Sequence, residues 1–187
     1  MKKTLLLREN IGIERVADIM NKLGFKLDPE TKSSDGMVWQ IWMSHDEKSA
    51  IHYVDDEVGK TRYFSVRGKN QPTLVKALRK EVPLWKRDDI LKHALDLLAD
   101  GTETEIERVA MEVAGEMDEY DAASAGVLAT FLEMDERRTR LVGARALRTR
   151  PHPLFHGTAQ RLASDPDPEI AAIGRFLSAR IEELHGG

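Results

Sequence analysis

The stretch from residue 162 to residue 184, LASDPDPEIAAIGRFLSARIEEL, decides the fold because it joins a turn, a helix cap and an amphipathic helix. Asp167 can accept hydrogen bonds from the first free N–H groups of a helix, and Pro168 suits the first helical position, where no N–H is needed. The apolar residues then recur at intervals of three and four, as Ile170, Ile173, Leu177, Ile181 and Leu184. This spacing predicts a helix over 168–184.

Helical patterning continues upstream through the whole second half of the chain. Two helices are predicted in 88–117, the first capped by Asp88 and closed by Gly101, and the second begun by a capping box from Thr102 to Glu105. Asp121 is expected to cap a third helix. Three more helices follow over 135–149, 152–163 and 168–184, so we predict an all-helical domain over 85–187.

A shift of 31 residues superposes two of these helix pairs, 121–149 and 152–184. The shift places Gly126 on Gly157 and Gly143 on Gly174, and it matches the inward faces of the second helices. The pair at 88–117 fits the same length with fewer shared residues. A period near 31 with two helices per repeat resembles HEAT-like repeats, and ASDPDPEIAAIGRFLSA carries the resemblance best.

The resemblance implies an α-solenoid of about three helix hairpins with a concave groove. The sequence departs from the family pattern at Ala171 and Ala172, where an arginine is usual. The alternative is a six-helix bundle whose hairpins look alike by chance.

The first half mixes strand and helix patterns in the order β-α-β-β-β-α, which predicts an α+β domain over 1–84. A strand from Lys2 is followed by a helix that Asn10 caps and Gly24 ends. The stretches MVWQIWMS, SAIHYVD and TRYFSVR read as strands, and Gly59 can supply a positive φ in the turn of the last two. A second helix begins near Pro72 and ends at Pro83.

The alternation in MVWQIWMS separates two tryptophans onto opposite faces of one strand. We expect Trp39 to lie in the core with Met37 and Ile41. Trp42 then lies on the other face, as a candidate aromatic contact for a partner, unless it packs between the domains.

Charge is distributed in blocks along the chain, although the net charge is only −4. Residues 88–133 carry 13 acids against two basic residues, whereas 137–161 carry seven arginines and no acid. On a helical wheel one arc holds four arginines, which are a candidate face for an anion or an acidic partner: Arg137, Arg138, Arg145 and Arg148. The structural alternative is that these arginines pair with acids of 100–121 inside the fold.

Residues that carry chemistry are sparse. The chain has no cysteine, which excludes disulfides, thiolate catalysis and cysteine zinc sites. It has no glycine-rich phosphate loop and no Gly-x-Ser-x-Gly turn. His152 and His156 lie four residues apart but lack a third ligand nearby in the sequence, and turn chemistry explains the acidic run at 55–57. We therefore predict no catalytic site, no metal site and no cofactor.

These patterns favour a non-enzymatic protein-interaction module, an adaptor or an immunity-type inhibitor, that binds a protein partner through the groove of the helical repeats. The alternative is a nucleic-acid-binding or repair-associated protein that uses the arginines of 135–150. An enzyme is the least favoured class. The apolar run at the N-terminus stops at Arg8 and no stretch is long enough to span a membrane, so we expect a cytoplasmic protein.

Overall fold

A computed structural model describes residues 2–34, 36–57 and 60–185. The chain forms two compact units, 1–86 and 87–187. Each unit has its own secondary structure and core, and the two are described separately.

The first unit is an α+β fold, as predicted. Its elements are β1 (Lys2–Leu6), α1 (Ile13–Lys22), β2 (Phe25–Leu27), β3 (Lys32–Ser34), β4 (Met37–Ser44), β5 (Ser49–Asp56), β6 (Thr61–Gly68) and α2 (Gln71–Glu81). The strands form one antiparallel sheet in the order β1-β6-β5-β4-β2, and β3 also pairs with β4. The short strands β2 and β3 were not predicted, and Gly59 lies outside the described residues.

One face of this sheet packs against α1 and α2 to form the core of the first unit. Buried side chains from both layers fill that core, among them Val16, Ile19, Met20, Trp42, Ile51, Tyr53, Phe64, Val66 and Leu78. The opposite face carries Trp39, His52 and Ser65. His52 of β5 is directly opposite Ser65 of β6, and Trp39 of β4 is diagonal to His52. The sheet therefore has an apolar side under the helices and a more polar side away from them.

The placement of the two tryptophans corrects the prediction made for them. Trp42 is 3% exposed and lies in the core, where its indole N–H donates to Gln40 at 3.3 Å. Trp39 lies on the polar side of the sheet. The pairing with the neighbouring strand explains this placement. Trp42 pairs with the buried Ile51, and the face that the helices cover must be apolar on every strand. Trp42 is therefore a core residue and not a surface contact.

The end of the first unit lies at residue 86, two residues beyond the predicted boundary. Leu84 forms a β-bridge with Leu7, and the Trp85 N–H donates to the Leu6 carbonyl at 2.9 Å. The Arg8 guanidinium lies 4.6 Å from the centre of the Trp85 ring, a cation–π distance. These contacts attach residues 84 and 85 to the edge of the sheet.

The second unit is all-helical, as predicted. Its helices are α3 (Arg87–Asp100), α4 (Glu103–Glu116), α5 (Ala122–Glu133), α6 (Arg137–Arg148), α7 (His156–Ala163) and α8 (Pro168–His185), with a 3₁₀ turn at Pro153–Phe155. They pack as three hairpins, α3 with α4, α5 with α6 and α7 with α8. The second helices also pack in sequence, α4 on α6 and α6 on α8. Among the described residues, the helices are too short or too polar to cross a lipid bilayer.

Helix capping follows the sequence in most places. Thr102 and Glu105 form the predicted capping box, and Asp121 accepts from the Ser124 N–H at 2.8 Å as the cap of α5. Asp167 accepts from the backbone N–H of Glu169 and that of the next residue. The prediction for Asp88 is wrong, since α3 begins one residue earlier and Asp88 lies inside its first turn.

Two glycines in the second helices permit close packing within their hairpins. A Cβ atom on Gly143 of α6 would lie 2.8 Å from the Cβ of Phe131 in α5. A Cβ atom on Gly174 of α8 would lie 2.5 Å from the carbonyl carbon of Leu162 in α7. The offset of 31 residues that relates the two glycines also relates these two partners.

Candidate binding surfaces

The arginine face predicted from the sequence lies on α6. It consists of Arg137, Arg138, Arg145 and Arg148. Arg138 donates to Glu103 of α4 at 2.6 Å. Arg145 lies between two helices, 3.7 Å from Glu107 of α4 and 2.7 Å from Glu169 of α8. Both acids of α4 belong to the acidic block that the structural alternative named as partners.

Arg137 is anchored on the N-terminus of α8. It pairs with Asp167, and it lies 3.2 Å from Glu169. The hydrogen bond from Arg137 and the backbone N–H of Ile170 hold the pKa of Asp167 below its ordinary value. The same carboxylate therefore caps one helix and binds the arginine of another.

Arg148 is exposed, and within the described part of the chain it makes no ion pair. Arg150 lies just after α6, and its side chain is directed to backbone. Its Nε donates to the Ala114 carbonyl at 2.9 Å and its Nη2 to the Gly115 carbonyl at 2.8 Å. These carbonyls belong to the last turn of α4, so Arg150 joins the end of α6 to the end of α4.

The arginine face is thus balanced by acids for three of its four members. Exposed pairs of this kind contribute only about 0–1 kcal/mol each to stability. The pairs also weaken the local electrostatic field, because an arginine beside a carboxylate presents little net positive charge to an anion. The geometry favours a structural role for the arginine face, whose ion pairs join α6 to α4 and to α8.

A cleft of about 210 Å³ lies at one end of the helical unit. Residues 117–120, which follow α4, and residues 149–152, which follow α6, line it together with Phe155. We call this the loop-end cleft. Its walls come from the α4–α5 connection and the α6–α7 connection, which each join one hairpin to the next.

The loop-end cleft has an aromatic wall. Tyr120 stacks on His152 with ring centres 5.1 Å apart, and Phe155 lies 5.6 Å from Tyr120. Tyr120 is 39% exposed, and Leu154 beside this cluster is 65% exposed. Large, rigid apolar side chains at an exposed cleft are typical of protein contact sites.

The two histidines near this cleft serve separate structures. The Nδ1 atom of His152 accepts from the Leu154 N–H at 3.3 Å and so caps the 3₁₀ turn. The Nε2 atom of His156 lies 2.9 Å from the Gln160 side chain one turn further along α7. No cluster of three or more His, Cys, Asp or Glu side chains suited to a metal occurs among the described residues.

The sequence did not single out Tyr120 or Leu154. Both lie in connections between helices, where apolar residues follow no period that would mark them. Only their positions in the chain could have indicated a binding role. Each lies one or two residues from a helix cap, and connections of a rigid scaffold often carry binding residues.

Comparison with known proteins indicates no function for these surfaces. No protein-family model, curated protein or solved structure matches the chain.

Proposed function

We propose that this protein is a non-enzymatic protein-interaction module, an adaptor or inhibitor that binds a partner protein through its helical unit. The observation that carries the proposal is the loop-end cleft, where Tyr120 and Leu154 present exposed apolar surface beside a depression. We also propose that the three hairpins are HEAT-like repeats. The equal spacing of Gly143 and Gly174 and of their packing partners supports that reading.

The partner segment proposed for the cleft is basic. Two acidic residues, Asp118 and Glu119, line the cleft, and Glu119 is exposed at its rim. The exposed ring of Tyr120 can accept an arginine or lysine over its face. An arginine with a neighbouring apolar residue would meet both the charge and the aromatic wall.

The experiment is affinity capture from an extract of the source cells with three immobilised proteins: wild type, a Tyr120→Ser/Leu154→Ser double variant, and a Phe176→Ser control. Phe176 of α8 is 54% exposed and is not among the residues that line the cleft, so its replacement removes apolar surface outside the cleft. We expect a protein retained by the wild type and by the control to be lost from the double variant. Equal retention by all three proteins, or retention by none, would contradict the proposal.

A nucleic-acid-binding function is the alternative, and the arginine face is where it would reside. Three of the four arginines there are paired with acids. We therefore expect no saturable binding of duplex or single-stranded DNA even at low salt. Tight binding that falls steeply with salt, and that an Arg145→Glu/Arg148→Glu variant abolishes, would favour the alternative instead.

We assign the protein to the cytoplasm, which agrees with a chain of 187 residues that contains no cysteine. Fractionation of the source cells tests this assignment.

A further inference from the structure

A second cleft, of about 260 Å³, lies on the polar side of the sheet in the first unit. Its lining residues belong to 2–67 and include none of the arginine face. We call it the sheet cleft. The residues that matter in it come from four adjacent strands: Lys2 of β1, Tyr63, Ser65 and Arg67 of β6, His52 of β5 and Trp39 of β4. Small-ligand sites commonly measure about 300–1,000 Å³, so this cleft suits a ligand of one or two rings.

The sheet cleft is positively charged. Lys2 and Arg67 are directly opposite each other on β1 and β6, which places both cations on the same side of the sheet. Among the described residues that line the cleft, none is acidic. The two cations therefore create a local positive potential that favours an anionic group.

The floor of the cleft contains a buried hydroxyl without a partner. Ser65 is 4% exposed, and its Oγ atom has no hydrogen-bond partner among the described residues. A buried polar atom that makes no hydrogen bond costs free energy, and such atoms are uncommon in native structures. Ser65 lies between Thr4 and His52 in the register, at the centre of the polar side.

The imidazole of His52 offers a further donor. Its Nδ1 atom accepts from the indole N–H of Trp39 at 3.1 Å, and the two rings stack with centres 5.8 Å apart. Burial, together with the charges of Arg67 and Lys2, holds the pKa of His52 below its ordinary value, which favours the neutral ring. A neutral imidazole that accepts at Nδ1 carries its proton on Nε2.

We propose that the sheet cleft binds a small planar anion, an aromatic ring that bears a carboxylate or a phosphate. The anionic group would lie against Arg67 and Lys2 and accept from the hydroxyl of Ser65. The ring would lie on the Trp39 and Tyr63 side, where it could stack on the half-buried indole. The described lining of the cleft holds two cations and no acid, which matches an acceptor-rich anion better than a cationic ligand.

The test is a titration followed by two-dimensional NMR of the full chain, with the indole N–H of Trp39 as reporter. Indole carboxylate tests a carboxylate ligand and AMP tests a phosphate ligand. Indole carboxamide and adenosine are the matched neutral probes. We expect at least one anion to give saturable shifts at Trp39 and to bind about tenfold or more tightly than its neutral counterpart.

Three variants separate binding from folding. Arg67→Gln is expected to weaken the anion about tenfold, while Arg79→Gln, a matched change on the exposed surface of α2, leaves the affinity unchanged. Ser65→Ala is expected to weaken the anion several-fold while the unliganded protein is as stable as the wild type or more so, because an unpaired hydroxyl is removed.

The proposal is overturned if neither anion shifts the Trp39 resonance, if each neutral probe binds as well as its anion, or if Arg79→Gln weakens binding as much as Arg67→Gln. It is also overturned if a short oligodeoxythymidine binds at Trp39 while both small anions do not. That result would assign the surface to single-stranded nucleic acid instead.

Discussion

At the scale of single residues, Gly174 shows how one missing atom sets the spacing of a hairpin. A Cβ atom there would lie 2.2 Å from the backbone nitrogen of Ala163 and 2.5 Å from the carbonyl carbon of Leu162. Backbone atoms cannot rotate away as the end of a side chain can, so α7 and α8 would have to separate.

We therefore predict that Gly174→Ala destabilises the protein by about 2–3 kcal/mol, as measured by urea unfolding. Gly126→Ala in α5 is the matched control. Its new Cβ meets no atom within 4 Å, so the higher helix propensity of alanine should stabilise the protein by up to about 1 kcal/mol. Equal effects of the two changes would show that α7 and α8 do not approach as closely as described.

His52 provides a second prediction at this scale. Burial and the neighbouring Arg67 and Lys2 hold its pKa below the ordinary value of 6.5. The unfolded chain therefore takes up a proton at a higher pH than the folded chain. The free energy of unfolding should fall as the pH drops from about 6.5 through the folded pKa, and level off below it.

An NMR titration of the His52 imidazole measures this shift directly. We expect an Arg67→Gln variant to move the pKa upward but not fully to 6.5, because burial is the larger cause. A wild-type pKa at or above 6.5 would contradict the placement of His52 beside the two cations.

At the scale of elements, Asp121 joins the start of α5 to the start of α3. Its carboxylate accepts from the Ser124 N–H at 2.8 Å and from Nε of Arg87 at 3.0 Å. The hydrogen bond from Arg87, which is the largest influence, holds the pKa of Asp121 well below its usual range. Arg87 is shared with Asp88, whose side chain is 87% exposed.

We predict that Asp121→Ala lowers the free energy of unfolding by about 1–2 kcal/mol through loss of the cap and the ion pair. Asp88→Ala, which removes the exposed partner of the same arginine, should change it by no more than about 0.5 kcal/mol. Chemical unfolding of both variants tests the contrast, and a larger loss in Asp88→Ala would contradict it.

The contribution of Asp121 also has a defined pH dependence. It is complete above the ordinary carboxylate pKa of 3.8 and is lost as the pH falls from there through the lower folded pKa. The difference in stability between wild type and an Asp121→Asn variant should therefore be constant above about pH 5 and shrink below about pH 4.

The sequence predicted the positions of helices and strands better than it predicted the binding surfaces. Periodicity located β4 and α8, and cap chemistry located Asp121 and the Thr102–Glu105 capping box. The sequence did not reveal β2 or β3, since strands of three residues are too short to alternate visibly.

Alternation also could not say which face of β4 is covered by helices. That depends on the register with β5, a long-range property that places Trp42 beside Ile51. The binding surfaces were hidden for the same reason, because Ser65 and Lys2 become neighbours only when the strands pair, and Tyr120 meets His152 only when two loops converge.

At the scale of the whole molecule, the division at residue 86 predicts that 87–187 folds alone. Each helix of this unit packs on another helix of the same unit, and Arg87 finds its partners inside it. We expect an isolated 87–187 chain to show a helical circular dichroism spectrum and a single cooperative thermal transition.

A chain of 122–187 is the informative comparison. It lacks α4, which packs on α6, and it lacks the carbonyl acceptors of Arg150. We expect it to lose the cooperative transition. A cooperative 122–187 chain together with an unfolded 87–187 chain would contradict the described packing.

The side chain of Arg150 has a consequence for how the helical unit opens. It donates hydrogen bonds to the last carbonyls of α4, and Arg145 of α6 pairs with Glu169 of α8. Polar contacts outside the apolar core thus join the α5–α6 hairpin to α4 on one side and to α8 on the other. Amide hydrogens of α4 and α6 should then exchange with solvent together, in one shared opening event, rather than hairpin by hairpin from the C-terminus.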